Sequence, residues 1–258
     1  MISLSLWLMS IILLATGLAA GFLSSVAGLA SLVSYPVLLM LGLPPVSANV
    51  TNTAALIFTG AGSSIASLRE LHHVRKTALN VTIYALIGGV VGSFLLVIAP
   101  AKTFERVVPF LVFGAGVLML WSQFRHTVPK KAENPHHLEI MILKNIAILL
   151  VGVYIGYFGA SAGMIMLSIL IVTLNATFGE INAIKNFAAF MTNILSLIIY
   201  AFTTKVYWWM VIPLGIGMFV GGYMGPVVIR HVPVKPLRII ISFAAFGLAA
   251  YLFYTAYY

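Results

Sequence analysis

The fold is decided by two stretches that repeat one pattern, GFLSSVAG at residues 21–28 and GYFGASAG at residues 156–163. They lie 135 residues apart, and each interrupts a long apolar run with glycines and small side chains. The same offset holds from Gly21 to Ala48 in the first copy, and three glycines after residue 87 return with an offset only two residues shorter. The chain is therefore predicted to be an internal duplication whose two units are interrupted at matching places.

The composition places this duplication in a membrane. Hydrophobic residues make up 62% of the 258 residues and charged residues only 7%, which is too little polar surface to cover a soluble globule. A helix that crosses about 30 Å of hydrocarbon needs roughly 20 residues. Eight apolar stretches are long enough: residues 4–27, 46–68, 77–99, 104–124, 140–160, 181–202, 207–229 and 237–257. We predict an all-α polytopic membrane protein with eight long transmembrane helices.

Two shorter apolar segments, residues 31–42 and 164–174, lie between the long spans. A helix of about twelve residues rises only about 18 Å, so neither segment crosses the bilayer as a simple helix. They are either re-entrant, or they cross with the help of the glycine-rich backbone beside them. The predicted architecture is therefore eight long helices plus two short broken segments.

The positions of the basic residues bear on the orientation of the repeats. With Lys185 left aside, re-entrant segments give parallel repeats and divide Lys and Arg eight inside against five outside. Crossing segments give inverted repeats and a division of ten against three. The second division follows the positive-inside tendency better. We therefore predict inverted repeats at residues 1–125 and 138–258, joined by a cytoplasmic linker at residues 126–137.

A duplicated membrane unit with matching helix breaks is typical of secondary transporters, whose substrate sites lie at the breaks near mid-membrane. Irregular backbone at that depth must be buried in protein or face water. The candidate site residues in the breaks are Ser25, Gly28, Ser31, Ser161 and Gly163. The alternative is that these small residues only allow close helix packing.

Polar residues follow each break at the start of the next long span. Pro44 and Pro45 suit a helix entry in the first copy, and the start of a helix attracts anions. The candidate donors are Asn49, Thr51 and Asn52 in the first copy, and Asn182, Lys185 and Asn186 in the second. This set is rich in donors, carries a cation and lacks carboxylates, so it predicts an anion site rather than a Na⁺ site.

Two alternatives compete with this interpretation. Lys185 is equally explained as a snorkelling or interfacial lysine near a helix start, paired with Glu180. Asn52 and Asn186 are also explained as polar contacts between helices. The sequence alone does not decide between these interpretations.

Several other classes of site are disfavoured. The chain has no cysteine, and its histidine pairs at residues 72–73 and 136–137 lack the spacing of a helical metal site. Neither a metal site, a cofactor nor an enzymatic motif is predicted. The net charge of +9 comes from residues in loops between spans, so we expect a lipid bilayer and a small anion as partners, and no nucleic acid.

With these residues in view, the chain resembles the TauE/SafE family of sulfite exporters. The stretch from Gly21 to Asn52 is similar to the family's glycine-rich first repeat, through Pro36 and LGLPP at residues 41–45, and the stretch from Gly156 to Asn186 resembles the second. The resemblance implies a multi-pass permease of the cell (inner or plasma) membrane that exports a small sulfur-containing or organic anion, such as sulfite or a sulfonate.

The alternative function is an anion channel or a uniporter for a small anion without sulfur. The direction of transport, coupling to protons and pairing of two copies as a homodimer are left open by the sequence.

Overall fold

A computed structural model of the chain describes residues 6–124, 137–228 and 235–257, and every regular element within these residues is an α-helix. In chain order the helices are α1 Leu6–Ala27, α2 Ser31–Met40, α3 Pro45–Ala66, α4 Leu68–His73, α5 Arg75–Ile98, α6 Ala101–Phe124, α7 His137–Tyr157, α8 Ala162–Thr173, α9 Phe178–Thr203, α10 Trp208–Val228 and α11 Lys235–Tyr257.

The helix positions agree with the predicted stretches. Within the described ranges, eight helices have 21 to 26 residues and begin and end within three residues of the predicted long spans. The two short segments are α2 with 10 residues and α8 with 12 residues. The short helix α4 was not predicted. Most of the predicted linker at residues 126–137 lies outside the described residues, and α7 begins at its last residue, His137.

Four of the described helices, α1, α5, α9 and α10, are long and apolar enough to cross a membrane by length and composition. Helix α3 is equally long, but it carries a row of buried polar residues that includes Asn49, Thr51 and Asn52. Such residues are accommodated because α3 packs against α9 and α10, so that protein covers its polar side. The polar residues of α3 therefore face the interior of the bundle.

The helices of the two halves are interleaved. Helix α1 packs on α10 and α5 packs on α7, while α3 packs on α9 and α6 packs on α11. Exchanging the two halves turns the α1–α10 pair into the α7–α5 pair and returns the α3–α9 and α6–α11 pairs to themselves. Glycines make the closest approaches, since Gly88 and Gly92 lie against the backbone of α7, and Gly217 and Gly221 lie against that of α1. These glycines therefore act in helix packing.

Helices α3 and α9 run in opposite directions. Near the end of α3, Glu70 of α4 lies against Gly179 in the first turn of α9. Near the start of α3, the Thr51 hydroxyl accepts a hydrogen bond from the backbone N–H of Tyr207, which follows the end of α9, at 3.1 Å. The chain that follows each helix thus lies near the first part of the other helix.

The break in the second half lies within the predicted stretch at residues 156–163, but its backbone does not turn at the glycine that matches Gly28. In the first half, α1 ends at Ala27 and Gly28 has φ 74°. In the second half, the positive φ of 71° belongs to Gly159, whereas Gly163 is already the second residue of α8. The left-handed turn therefore lies four residues earlier than the matching glycines indicated, because a glycine in the sequence permits a left-handed turn without requiring one.

Candidate functional site

The two breaks meet in the interior through direct backbone contact. A Cβ added at Gly163 would lie 2.6 Å from the Cα of Gly28, and one added at Gly28 would collide with the backbone of Gly163. Heavy atoms this close leave no room for a side chain on either residue. The first turn of α8 therefore packs directly against the backbone that follows α1.

The backbone of each break is irregular over a few residues. Three residues separate α1 from α2, and four separate α7 from α8. Ser161, which precedes α8, has φ 60°, a conformation that costs a residue with a side chain about 1–2 kcal/mol. Its hydroxyl is buried and has no hydrogen-bond partner within the described residues. This strain is confined to the residue that starts α8.

Both short helices begin beside this contact. Ser31 is the first residue of α2 and Gly163 the second of α8, and neither backbone N–H makes a backbone hydrogen bond within the described ranges. The first N–H groups of a helix lack partners inside it, and they carry the positive end of its dipole. Two such ends therefore converge from opposite halves of the chain.

Lys185 of α9 supplies a full positive charge at the same place. Its Nζ donates to the backbone oxygens of Ser24 at 3.1 Å and Ser25 at 3.2 Å, and its side chain is only 1% exposed. Among the side chains whose burial the structure describes, it is the only buried charged one. Glu180, by contrast, is engaged near the start of α9 in a capping box with Thr177. Lys185 therefore reaches inward across the bundle, and does not snorkel.

Amide groups surround the contact on both sides. Asn186 Nδ2 donates to the Ser25 oxygen at 3.1 Å. In the first half, Asn52 Nδ2 donates to Ser31 Oγ at 3.0 Å, while the Ser34 hydroxyl lies 2.5 Å from Asn52 Oδ1. Asn52 thereby holds the first turn of α2 against α3. The polar contacts between helices, which the sequence left as an alternative, are present here.

A cavity of ≈ 50 Å³ lies between the breaks, which is room for about four water molecules. Its polar lining comes from both halves: Ser24, Ser31, Thr53, Lys185, Asn186 and Asn193. Its other lining residues are apolar or glycine, including Phe158, Gly28 and Gly163. A cavity with one cation, amide and hydroxyl donors and no acidic lining residue is suited to a small anion.

The predicted site residues fall into two groups. Those that line the cavity are Gly28, Ser31, Gly163, Lys185 and Asn186. The others do not line it. The Ser25 carbonyl oxygen accepts from Lys185 and Asn186, and Asn52 donates to Ser31. Asn49 Nδ2 donates to the Tyr157 oxygen at 3.0 Å, and the Thr51 hydroxyl accepts from the Tyr207 N–H. Asn182 and Ser161 are buried, and each has a side-chain oxygen without a partner among the described residues.

Ser24, Thr53, Phe158 and Asn193 are among the lining residues that the sequence analysis did not assign to the site. Asn193 follows Asn186 by seven residues, which is two helical turns and therefore the same face of α9. Extending the face of Lys185 and Asn186 along the helix would have found it. Phe158 carries no such signal, because it enters the lining only through the irregular backbone after α7.

The described residues contain no group of three or more His, Cys, Asp or Glu residues able to hold a metal ion. The donors of this site are N–H and ammonium groups, which repel cations. The acceptors nearby are the carbonyls at the end of α1, and Lys185 contacts them.

Comparisons of the sequence with known proteins identify a matching family and several relatives. The family model described as sulfite exporter TauE/SafE matches residues 13–252. A probable membrane transporter protein, ORF9, from Sinorhizobium sp. is 28% identical over 236 residues, 87% of this chain and 86% of that relative. A probable membrane transporter protein of Haemophilus influenzae is 25% identical over 243 residues, 90% of this chain and 91% of its own length. The Escherichia coli K12 protein YfcA, also described as a probable membrane transporter, is 25% identical over 253 residues, 95% and 90% of the two chains. No solved structure matches the chain.

Proposed function

The chain belongs to the sulfite exporter TauE/SafE family of membrane transporters, and from that premise we propose that it is a secondary transporter that exports a small sulfur-containing or organic anion, such as sulfite or a sulfonate. The observation that carries the proposal is the position of Lys185, whose buried charge lines a cavity where two helices begin. A lysine that served only to anchor α9 at the membrane surface would not be buried between the two breaks.

The size and donor set of the cavity support the substrate class. A volume of ≈ 50 Å³ suits an anion of a few heavy atoms. Sulfite and the sulfonate group each present three acceptor oxygens. These match the N–H groups that start α2 and α8 and the ammonium of Lys185.

The alternative is a channel or uniporter for a small anion without sulfur, which the same donors would accept. A rate that saturates with anion concentration would favour a carrier, and a linear rate would favour a channel. An enzymatic role is disfavoured, since the described cavity lining holds no acid–base pair.

We further propose that all eight long helices cross the cell membrane and that residues 1–125 and 138–258 form inverted repeats joined at residues 126–137. The exchange of helix pairs and the contact of the breaks at Gly28 and Gly163 support a two-fold relation between the halves, and the opposite directions of α3 and α9 support its inversion. The substrate would then lie on the pseudo-two-fold axis near mid-membrane. Pairing of two copies as a homodimer remains compatible with this arrangement.

Labelling of single cysteines tests the inversion, since the chain has no cysteine of its own. Arg69, Lys102 and Lys205 are exposed and precede, begin or follow long helices. Inverted repeats predict that cysteines at Lys102 and Lys205 react with a membrane-impermeant maleimide on one side of the membrane, and that a cysteine at Arg69 reacts on the other. Labelling of Arg69 and Lys205 from the same side would contradict the inversion.

A flux measurement in proteoliposomes tests the transport function. A membrane potential of 100 mV supplies about 2.3 kcal/mol per charge, which corresponds to roughly a 50-fold gradient of a monovalent anion. We expect the potential alone to drive sulfite or methanesulfonate toward the positive side, with a rate that saturates, and a K⁺ ionophore that collapses the potential to abolish accumulation. Flux that rises linearly to high concentration would favour the channel. Accumulation driven by a pH gradient at zero potential would instead indicate proton coupling.

A further inference from the structure

Two backbone oxygens in the last turn of α1 each accept two hydrogen bonds. The Ser24 oxygen accepts from Gly28 N at 2.7 Å and from Lys185 Nζ at 3.1 Å. The Ser25 oxygen accepts from Lys185 Nζ at 3.2 Å and from Asn186 Nδ2 at 3.1 Å. Two carbonyls that end one helix thus receive both charged and neutral donors from a helix about 160 residues away in the chain.

Such carbonyls form a site for a cation. The last carbonyls of a helix lack partners inside it and carry the negative end of its dipole. In membrane carriers, the C-terminal ends of interrupted helices and unwound carbonyls coordinate the Na⁺ or H⁺ that drives transport. An ammonium is a compact charge with three donors, so it satisfies the same oxygens that would otherwise coordinate a metal cation.

We propose that the oxygens of Ser24 and Ser25 form a monovalent-cation site that the Lys185 ammonium fills permanently, so that this carrier works without a dissociable cation such as Na⁺. The site itself rests only on the contacts of Lys185. The independence from Na⁺ rests on the proposed function as well. Because Lys185 also lines the cavity, one tethered charge both closes the end of α1 and attracts the anion.

The proposal predicts what happens when the ammonium is removed. Lys185→Ala leaves the two oxygens in place and opens space beside them, so a free cation should enter. Lys185→Met removes the charge but fills most of the space, and should not admit one. Lys205→Ala is the matched control, because Lys205 is exposed in the connection between α9 and α10 and its charge lies over the ring of Tyr207.

The experiment measures the unfolding temperature of purified protein in detergent at constant pH and constant chloride. Choline is replaced stepwise by methylammonium, ammonium or Na⁺. For Lys185→Ala we expect a lower unfolding temperature in choline and a saturable rise of about 5 °C with at least one of these cations. The parent, Lys185→Met and Lys205→Ala should respond by less than about 1 °C.

An unfolding temperature of Lys185→Ala that is the same in all four salts would overturn the proposal. If that variant can be purified only with one of the cations present, the proposal is supported. If it cannot be purified at all, transport by the parent decides. Equal rates in Na⁺ and in choline support the proposal, and a drop of more than tenfold in choline overturns it. A cation response in Lys185→Ala, combined with a parent that transports no anion, would uphold the cation site and refute the proposed function.

Discussion

Replacing Lys185 with alanine is expected to weaken anion binding by about 10- to 100-fold, since a hydrogen bond to a charged group contributes about 1.5–3 kcal/mol. The ammonium is the one full charge in the described lining of the cavity, and amides and helix starts alone supply only partial charges. Lys185→Arg should restore binding only in part, because a broad planar guanidinium does not fit where a compact ammonium lies between two carbonyls.

The measurement is a shift of the unfolding temperature with sulfite, methanesulfonate, phosphate and nitrate, each as its choline salt so that no small cation replaces the missing ammonium. A ligand at 100 times its dissociation constant adds about 2.7 kcal/mol of stability. The parent and Lys205→Ala should therefore be stabilised by that amount with the preferred anion, whereas Lys185→Ala at the same concentration should gain only about 0.4–1.4 kcal/mol. Equal stabilisation of Lys185→Ala and the parent would mean that Lys185 only joins helices and that neutral donors bind the anion.

The second large effect is expected at the contact of the two breaks. Gly28→Ala combines a positive φ, which costs about 1–2 kcal/mol, with a collision against the Gly163 backbone, and overpacking of this kind costs about 1–3 kcal/mol. We therefore expect Gly28→Ala to destabilise the protein by about 2–5 kcal/mol and to remove anion binding, because the cavity lies beside the contact.

Variants at two other glycines separate the cost of the positive φ from the cost of the collision. Gly42 has φ 90°, but a Cβ there meets no atom within 4 Å, so Gly42→Ala carries the conformational cost alone. Gly163 does not have a positive φ, so Gly163→Ala carries the collision alone. The unfolding temperature should fall most for Gly28→Ala. If Gly42→Ala lowers it as much, the close approach of the breaks does not contribute to stability.

The positions of the helices were predictable because a long apolar run has few other structures available to it. The sequence predicted that both halves contain a break, but not which glycine has the positive φ in the second half. A glycine such as Gly163 serves close packing in one place, whereas Gly159 provides a left-handed turn in another, and the sequence does not distinguish the two uses. The local pattern therefore located both irregular stretches, but not the residue at which the second one turns.

The site was predictable in kind but not in its contacts. Lys185 and Asn186 were identified from a charge and an amide at the start of an apolar helix, yet the partners of both lie on α1, about 160 residues earlier. Asn49 and Thr51 have the same polar character and were assigned to the site, but they bind backbone groups at the end of α7 and just before α10 instead. Which polar residue faces the cavity depends on how helices from the two halves are interleaved, and this packing of distant segments is not encoded in local spacing.

The reach of Lys185 and Asn186 back to α1 also has a consequence for biosynthesis. A ribosome that adds 5–20 residues per second makes α9 roughly 10–30 s after the end of α1. Throughout that interval the Ser25 oxygen lacks both of the donors that it has in the finished protein. The first half must therefore wait beside the insertion machinery or near water until the second half arrives. A truncated chain that ends before α9 is expected to be recognised by membrane quality control and not to accumulate as a stable half.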